Sequence, residues 1–446
     1  MQNIDTLIHA DWIIPVDSQN STLRNHALAV SDGRILEILP SDAASKKYSA
    51  DDIHRLMNHV LIPGLINVHT HAAMSLFRGL ADDLPLMSWL QDHIWPAEGR
   101  WVDSEFIQDG TLLAVAEMLQ SGTTCFNDMY FYPDVTARIA DTVGIRASVG
   151  LIVLDFPTVW ANDANEYIHK GIEVHDHYRN NSLISTAFAP HAPYTVSDAP
   201  LARVVTLAEE LDIPIHMHVH ETDFEIQESI KQHHKRPLQR LKELGITSPR
   251  LIAVHMTQVN NDDLQILTES GCSIAHCPES NLKLASGFCP VNQLIEAGIN
   301  VALGTDGAAS NNDLDMIGEM RTAALLAKSV ANDASALPAH QALRMATINA
   351  ATALGLDKII GSLESGKSAD IVALDMHHLA TQPLYHPISQ LVYAANRHQV
   401  SDVWVAGKHL LHKHELMTIE QEDIISRAKN WSARIKKSDE NNQVTD

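Results

Sequence analysis

Cysteine is scarce in this chain of 446 residues. The few cysteines form no Cys-x-x-Cys pair and are too irregularly spaced for a disulfide framework in a chain this long. The first residues also lack the basic stretch and apolar run of a secretory signal. We therefore expect a reduced, cytoplasmic environment for the four cysteines, which are Cys125, Cys272, Cys277 and Cys289.

Basic residues and long apolar runs are also in short supply. The sequence has 32 Lys and Arg against 55 Asp and Glu, which gives a formal net charge of −23. A surface this acidic repels nucleic-acid phosphates and anionic membranes, so neither is an expected partner. No run approaches the roughly 20 apolar residues that a membrane span needs. The 45% apolar and 20% charged content excludes a disordered or fibrous chain.

The middle of the chain alternates short apolar runs with helix-like segments. This alternation is typical of parallel strands joined by crossover helices. Eight such units over about 250 residues is the size of a (β/α)₈ barrel, although a doubly wound open sheet remains the alternative. Helices are predicted over 104–121 and 197–211 from their apolar spacing. The predicted strands are 61–68, 123–127, 145–153, 184–189, 213–219, 251–254, 273–275 and 300–303.

Both ends of the chain have a strand-like pattern instead. Short alternating runs occur before residue 60 and again near 369–375 and 400–408, and Asp32-Gly33 is typical of a hairpin turn. We therefore predict an α/β protein with a TIM-type barrel over 63–360. A small β-sandwich domain would be formed from both chain ends, 1–62 and 361–446, the second including an amphipathic helix over 420–437 and a polar tail.

Histidine, in contrast, is abundant, with 26 residues. Residues two apart on a strand point to the same side, so His69 and His71 can face one point. The carboxyl ends of barrel strands meet at one face, where active sites of such barrels lie. Imidazoles with a carboxylate are suitable ligands for Zn²⁺ or Fe²⁺. The pattern therefore predicts a metal site among the residues at the strand ends: His69, His71, His218, Glu221, His255 and Asp306.

Two of these strand ends carry a family resemblance. Residues 63–71 (PGLINVHTH) and 303–307 (LGTDG) resemble signature segments of the amidohydrolase superfamily. Within it, the chain is most similar to the 5-methylthioadenosine/S-adenosylhomocysteine deaminase family, and the resemblance covers essentially the whole chain. Triazine hydrolases and guanine deaminases share much of the pattern, so a free base or a triazine is the alternative substrate. The supporting segments are 74–83, 95–99, 189–194, 276–284 and 310–313.

The resemblance implies a hydrolytic deaminase that converts 5-methylthioadenosine, S-adenosylhomocysteine or a related adenosine to its inosine analogue and ammonia. It also implies one divalent metal ion, Zn²⁺ in preference to Fe²⁺. The fourth run ends without the Lys that bridges two metals in binuclear relatives, which favours a single ion. The ligands implied by the resemblance are His69, His71, His218 and Asp306.

The resemblance assigns chemical roles as well. Asp306 would accept a proton from the attacking water, and Glu221 would protonate the ring nitrogen beside the attacked carbon. His255 would stabilise the developing oxygen charge. Glu98 would bind the ribose hydroxyls, and His191 would lie beside the sugar.

The substrate implied by the resemblance is therefore a small adenosine thioether. Some relatives carry an Arg just past the third strand, and this chain has none there. An apolar wall for the 5′ substituent is expected from Met74, Phe77, Trp89 and Trp95. We also expect a homo-oligomer.

Several other patterns are given no role in this chemistry. Residues 361–368 match a P-loop pattern, but they lead into a strand-like run and not into a helix, so we interpret them as a turn. His216 would lie one layer below His218 as a hydrogen-bonded core residue. Five histidines belong to the terminal β region, far from the barrel mouth: His377, His378, His409, His412 and His414.

Overall fold

A computed structural model describes residues 1–443 of the chain. Its strands form two eight-stranded sheets. The strands are β1 (Gln2–Ile13), β2 (Leu23–Ser31), β3 (Arg34–Pro40), β4 (Tyr48–Pro63), β5 (Leu65–Thr70), β6 (Thr123–Asp128), β7 (Arg146–Val153), β8 (Ile184–Pro190), β9 (Ile215–Val219), β10 (Leu251–His255), β11 (Ser273–His276), β12 (Asn300–Leu303), β13 (Ile371–Asp375), β14 (Val400–Val405), β15 (Lys408–His412) and β16 (Glu415–Leu416).

Helices follow most of the central strands. They are α1 (Ser41–Lys47), α2 (Leu86–Ser88), α3 (Trp95–Trp101), α4 (Ser104–Gln120), α5 (Pro133–Val143), α6 (Ala164–Tyr178), α7 (Asp198–Leu211), α8 (Asp223–His233), α9 (Pro237–Glu243), α10 (Asn261–Ser270), α11 (Pro278–Lys283), α12 (Val291–Glu296), α13 (Met316–Ala331), α14 (Ala339–Met345), α15 (Ile348–Ala353), α16 (Pro387–Tyr393) and α17 (Gln421–Gln443). Short 3₁₀ helices cover Ala72–Phe77, Leu379–Thr381 and Arg397–Gln399, and a π-helical turn covers Trp89–Ile94.

Strands β5 to β12 form the parallel barrel that the sequence predicts. The barrel closes where β5 meets the segment after β12. The Asn67 amide donates to Thr305 Oγ1 at 2.7 Å and accepts from the Thr305 N–H at 3.0 Å. Beside them, the Asp306 N–H donates to the His69 carbonyl at 3.0 Å. A Cβ at Gly304 would lie 2.8 Å from the backbone nitrogen of His69, so only glycine allows this close approach of the two chain segments.

The second sheet combines both chain ends, as predicted, in the order β16-β15-β14-β13-β4-β1-β2-β3. Strand β1 pairs parallel with β4, and the other neighbours are antiparallel. The two ends of this sheet approach each other, since a Cβ at Gly33 would lie 2.5 Å from the Ala406 carbonyl oxygen. Between the two halves lies a buried apolar cluster that includes Ile8, Leu28, Ile35, Ile371 and Trp404. Burial of this cluster holds the sandwich together.

One buried ion pair joins the barrel to the sandwich. Nε of Arg146, at the start of β7, lies 3.1 Å from Oδ2 of Asp370, just before β13. The guanidinium also donates to the Ser182 carbonyl, at 2.7 Å, and to the Ser368 hydroxyl, at 3.1 Å. Both partners of the ion pair are at most 4% exposed. The pair is therefore shielded from solvent, and its loss would leave an uncompensated charge.

Two predicted elements have different limits in the structure. The predicted strand 61–68 is two strands, because β4 ends at Pro63 and β5 begins at Leu65. The helix predicted over 420–437 runs over Gln421–Gln443 and so continues into the predicted tail, whose end lies outside the described residues. The division into 1–62, 63–360 and 361–446 stays a prediction. Within residues 1–443, no helix combines the length and the apolar character that crossing a bilayer requires.

Candidate active site

Four side chains converge at the mouth of the barrel. His69 Nε2 and His71 Nε2 each lie 3.2 Å from Asp306 Oδ1. His218 Nε2 lies 3.2 Å from His69 Nε2. His69 and His71 face the same point because they are two residues apart at the end of β5. Three imidazole nitrogens and a carboxylate oxygen thus share one small volume, as the ligands of a divalent ion must.

The second nitrogen of two of these imidazoles is held by a backbone carbonyl. His71 Nδ1 lies 2.6 Å from the Met129 carbonyl oxygen, and His218 Nδ1 lies 2.7 Å from that of His191. Because a carbonyl only accepts, each Nδ1 must carry a proton, so that in the neutral form of each ring the lone pair is on Nε2. This is the arrangement in which imidazoles bind metals, so the donor set fits such an ion.

Burial keeps two of the three imidazoles neutral. It lowers the pKa of His69 to about 4 and that of His218 well below its ordinary value. His69 Nδ1 lies 2.9 Å from Nε2 of His216, so His216 is the hydrogen-bonded core residue that the sequence predicts. For His71, burial opposes protonation, but the hydrogen bond and charge of Asp306 outweigh it and raise the pKa to about 9. Metal binding would therefore release a proton from this histidine.

Asp306 is fixed from several sides. Its Oδ2 accepts hydrogen bonds from the hydroxyls of Ser280 (2.6 Å) and Ser310 (2.8 Å), and its Oδ1 accepts from the Gly307 N–H at 2.8 Å. Burial alone would raise its pKa, but the neighbouring histidines lower it well below the usual range. Its backbone has a φ of 65°, a left-handed conformation that costs free energy in a non-glycine residue.

A second carboxyl group and an imidazole lie next to this centre. Glu221, just past β9, has its Oε2 3.8 Å from Nε2 of His255 at the end of β10. The His255 Nδ1 lies 2.9 Å from the amide oxygen of Asn281, which orients the ring. Burial raises the pKa of Glu221. The carboxylate of Glu225 accepts the backbone N–H groups of residues 220 and 221, at 3.0 and 2.8 Å, and so positions Glu221.

A third carboxyl group also lines the cavity. Glu98 is on α3, and its Oε1 accepts a hydrogen bond from the Tyr130 hydroxyl at 2.7 Å. Burial raises the pKa of Glu98 to about 7, although the Tyr130 hydrogen bond acts in the opposite direction. His191 also lines the cavity, its ring lies 4.8 Å from that of His218, and burial lowers its pKa to about 3. Its imidazole is therefore neutral and able to form hydrogen bonds with a substrate.

All these groups surround a cavity of about 280 Å³. Met74, Trp89 and Trp95 line it as expected, but Phe77 does not. Phe77 is instead a core residue whose ring lies 4.7 Å from that of Phe106. The rest of the apolar wall comes from residues that the sequence did not single out, namely Leu86, Leu90, Ile94, Phe131, Ile152, Leu154, Phe156, Pro157, Val159 and Leu284.

The structure thus brings the predicted residues together around one cavity. His71, Glu98, His191, His218, Glu221, His255 and Asp306 line it, and His69 lies buried beside them. The sequence analysis missed four partners: Tyr130, Ser280, Asn281 and Ser310. Tyr130 could have been found from its place two residues beyond the end of β6. The other three fall in segments that were noted only for their resemblance.

Comparison with known proteins shows the family of the chain. Residues 60–410 match the model of the amidohydrolase family. A 5-methylthioadenosine/S-adenosylhomocysteine deaminase of Saccharophagus degradans is 54% identical over 97% of each chain. A deaminase of the same name from Teredinibacter turnerae is 49% identical over 97% of this chain and 98% of its own. The crystal structure of an adenosine deaminase from Xanthomonas campestris with bound zinc has a TM-score of 0.97 at 52% identity, covering 98% of this chain and 99% of that one.

Proposed function

The chain belongs to the amidohydrolase family, and from that premise we propose that it is a metal-dependent deaminase of adenosine thioethers. Its substrates would be 5-methylthioadenosine, S-adenosylhomocysteine or both, and its products the inosine analogue and ammonia. The observation that carries the proposal is one cavity with a metal-ligand cluster and a separate buried carboxyl group, Glu98. The names of the similar proteins support the same reaction.

The ion would be held by His69, His71, His218 and Asp306. We take it to be a single Zn²⁺, since the zinc-containing relative supports that metal and the donors converge on one point. When bound, it would acidify a water molecule and so supply the nucleophile at neutral pH.

The protein's own groups would move the protons. Asp306 belongs to the ligand cluster and is held ionised, so it can accept the proton that the attacking water loses. Glu221, with its raised pKa, can protonate the ring nitrogen next to the attacked carbon. His255 lies 3.8 Å from the Glu221 carboxyl and would stabilise charge on the entering oxygen. The exocyclic amine would then take the proton held by Asp306, so that the C–N bond breaks and ammonia leaves, and the added hydroxyl would return a proton to Glu221 and become the keto group.

The nucleoside would be oriented by Glu98 and His191, which line the same cavity. A carboxylate can accept hydrogen bonds from both hydroxyls of a vicinal diol, and Glu98 is the buried carboxyl group placed to do so. His191 would lie beside the sugar. The apolar side chains of the wall would pack against the thioether substituent.

The alternative is a free base or a triazine as substrate. We would measure ammonia release and the adenine-to-hypoxanthine absorbance change with zinc-loaded protein. The panel would contain 5-methylthioadenosine, S-adenosylhomocysteine, adenosine, adenine, guanine and an aminotriazine. Turnover of the nucleosides is the expected result, and Glu98→Gln should lower it while any activity on free bases stays unchanged. Turnover of a base or triazine, with none of the nucleosides, would overturn the proposed substrate.

Three further properties belong to the same proposal. We place the enzyme in the cytoplasm, expect it to form a homo-oligomer, and expect no nucleic-acid partner because of its net charge of −23. Size-exclusion chromatography with light scattering would measure the oligomeric state.

A further inference from the structure

Outside the barrel mouth, a second group of side chains carries metal-ligand chemistry. Asp402 lies on β14, and His409 and His412 lie on the neighbouring β15. Among the described residues, these three form the one group away from the barrel mouth whose ligand atoms all lie within 4.8 Å of one another. The catalytic chemistry proposed above uses none of them.

A β-bulge explains how this group arises. Residues three apart on a regular strand face opposite sides, so His409 and His412 should diverge. Here Trp404 pairs with His409 while Val403 pairs with Leu411, so the intervening residue has no partner on β14. The extra residue shifts the alternation and turns both histidines to the face that carries Asp402. The two leucines between them, 410 and 411, are both buried in the core beneath.

The donor atoms of the three residues converge. Nε2 of His409 lies 3.0 Å from Oδ1 of Asp402, and Nδ1 of His412 lies 2.9 Å from the same oxygen. At the barrel mouth, the corresponding separation between histidine nitrogens and Asp306 is 3.2 Å. Ligands about 2.1 Å from a common ion are about 3 Å apart when they are adjacent, so both clusters have the spacing of a coordination sphere.

The surroundings suit an ion that arrives from solvent. The Asp402 carboxylate is 2% exposed, whereas the side chains of His409 and His412 are 21% and 37% exposed. One flank is closed by Trp404, which stacks on the His409 ring at 4.3 Å, and the ring of His54 lies edge-on at 5.2 Å. A carboxylate and two imidazoles with an open side match a borderline divalent ion.

We propose that Asp402, His409 and His412 form a second metal site, selective for first-row divalent transition ions such as Zn²⁺. Located in the β sandwich, it would hold β14 and β15 together. It does not depend on the proposed deaminase activity, since it shares no residue with the barrel cavity.

The test is a zinc titration of the full-length protein. After equilibration with excess Zn²⁺ and removal of loosely bound ion, elemental analysis should find about two ions per chain in the wild type. Asp402→Asn and the double variant His409→Asn/His412→Asn should each retain about one. The matched control is His414→Asn, because this exposed histidine is close in sequence and its side chain is not part of the cluster. Equal stoichiometry in the wild type and the folded variants would refute the second site.

A measurement on the wild type alone avoids any folding defect in the variants. Diethylpyrocarbonate modifies accessible neutral imidazoles, and mass spectrometry locates the modified residues. Saturating Zn²⁺ should protect His409 and His412 several-fold while His414 is modified at an unchanged rate. Identical modification of all three histidines with and without Zn²⁺ would also overturn the proposal.

Discussion

At the scale of single residues, Glu221 combines burial with a position beside the metal-ligand cluster. Burial raises its pKa and so favours the protonated form, and an amide of the same shape cannot transfer a proton. We expect Glu221→Gln to keep its metal and to lose about 10²- to 10⁴-fold in kcat. Metal content by elemental analysis and steady-state ammonia release are the measurements.

The matched control for this variant is Glu228→Gln. Glu228 lies on helix α8, and its carboxylate pairs with Lys231. This variant should turn over like the wild type. Near-normal kcat in Glu221→Gln would remove the role assigned to this carboxyl group.

His218 tests the metal site itself. Its Nε2 lies 3.2 Å from that of His69, and its other nitrogen is held by the His191 carbonyl. Substitution His218→Ala deletes one donor of the cluster, so bound metal and activity should be lost together. Elemental analysis and ammonia release on the same sample would show this, and full activity without bound metal would contradict it.

The hydrogen bond between Tyr130 and Glu98 leads to a prediction about the pH dependence of kcat/KM. Glu98 must be ionised to accept hydrogen bonds from both ribose hydroxyls, and its pKa is about 7, so kcat/KM for a nucleoside should rise as the pH passes through 7. The Tyr130 hydrogen bond lowers this pKa. Removing it in Tyr130→Phe should therefore move the rise in kcat/KM to higher pH.

The pH profile of kcat/KM is the measurement, and Tyr178→Phe, whose side chain lies on α6 away from the cavity, is the control. If the profile of Tyr130→Phe is unshifted or shifted to lower pH, ionisation of Glu98 does not cause the rise in kcat/KM.

At the scale of elements, the barrel strands were predictable because their apolar runs are short and end in polar residues. The strand at 300–303 and the helix beginning at Ser104 have the predicted limits to within one residue. The convergence of the residues at the strand ends followed, since the barrel geometry alone brings them together. The bulge of β15 was not predictable, because it depends on pairing with β14 and leaves no periodic signal. For this reason, His409 and His412 had no role in the sequence analysis.

The contacts of Asp306 with Ser280 and Ser310 could not be predicted from the sequence for a related reason. Both hydroxyls lie outside the strands, on α11 and in the segment after β12. Loop residues are positioned by tertiary contacts and not by a repeat in the sequence. Phe77 was expected to line the cavity because it is an aromatic residue near the predicted mouth. Its ring packs into the core instead.

The apolar wall predicts a preference among the thioethers. No Lys or Arg occurs among the described residues that line the cavity. The amino-acid group of S-adenosylhomocysteine would lose hydration there without a cation to pair with its carboxylate. We expect kcat/KM for 5-methylthioadenosine to exceed that for S-adenosylhomocysteine by at least about tenfold, which corresponds to ~1.4 kcal/mol.

A gain-of-function variant makes this preference testable in both directions. Phe156 lines the cavity and is 43% exposed, so Phe156→Arg can place a cation at its edge. The ratio of the two kcat/KM values should move toward S-adenosylhomocysteine in this variant and not in Phe156→Gln. An equal ratio in all three proteins would mean that charge in this wall does not set the preference.

At the scale of the whole molecule, the Arg146–Asp370 pair couples the barrel to the sandwich. Asp370→Asn would leave the buried guanidinium without its counter-charge, which should lower the free energy of unfolding by about 3–5 kcal/mol. The Asp212–Arg250 pair offers a comparison, because Asp212 is 86% exposed, and Asp212→Asn should cost at most about 1 kcal/mol. Denaturant unfolding of both variants would measure the difference, and similar losses would contradict it.

The closure of the barrel between β5 and the segment after β12 has a consequence for the synthesis of the enzyme. His69 and His71 are synthesised early, whereas Asp306 emerges only after the strands between them. The Asp306 N–H reaches the His69 carbonyl only once the last strand has joined the first. A ribosome-bound chain that stops before residue 306 therefore presents imidazoles without their carboxylate. Acquisition of the metal would be a late step of biogenesis, reserved for molecules whose barrel is already complete.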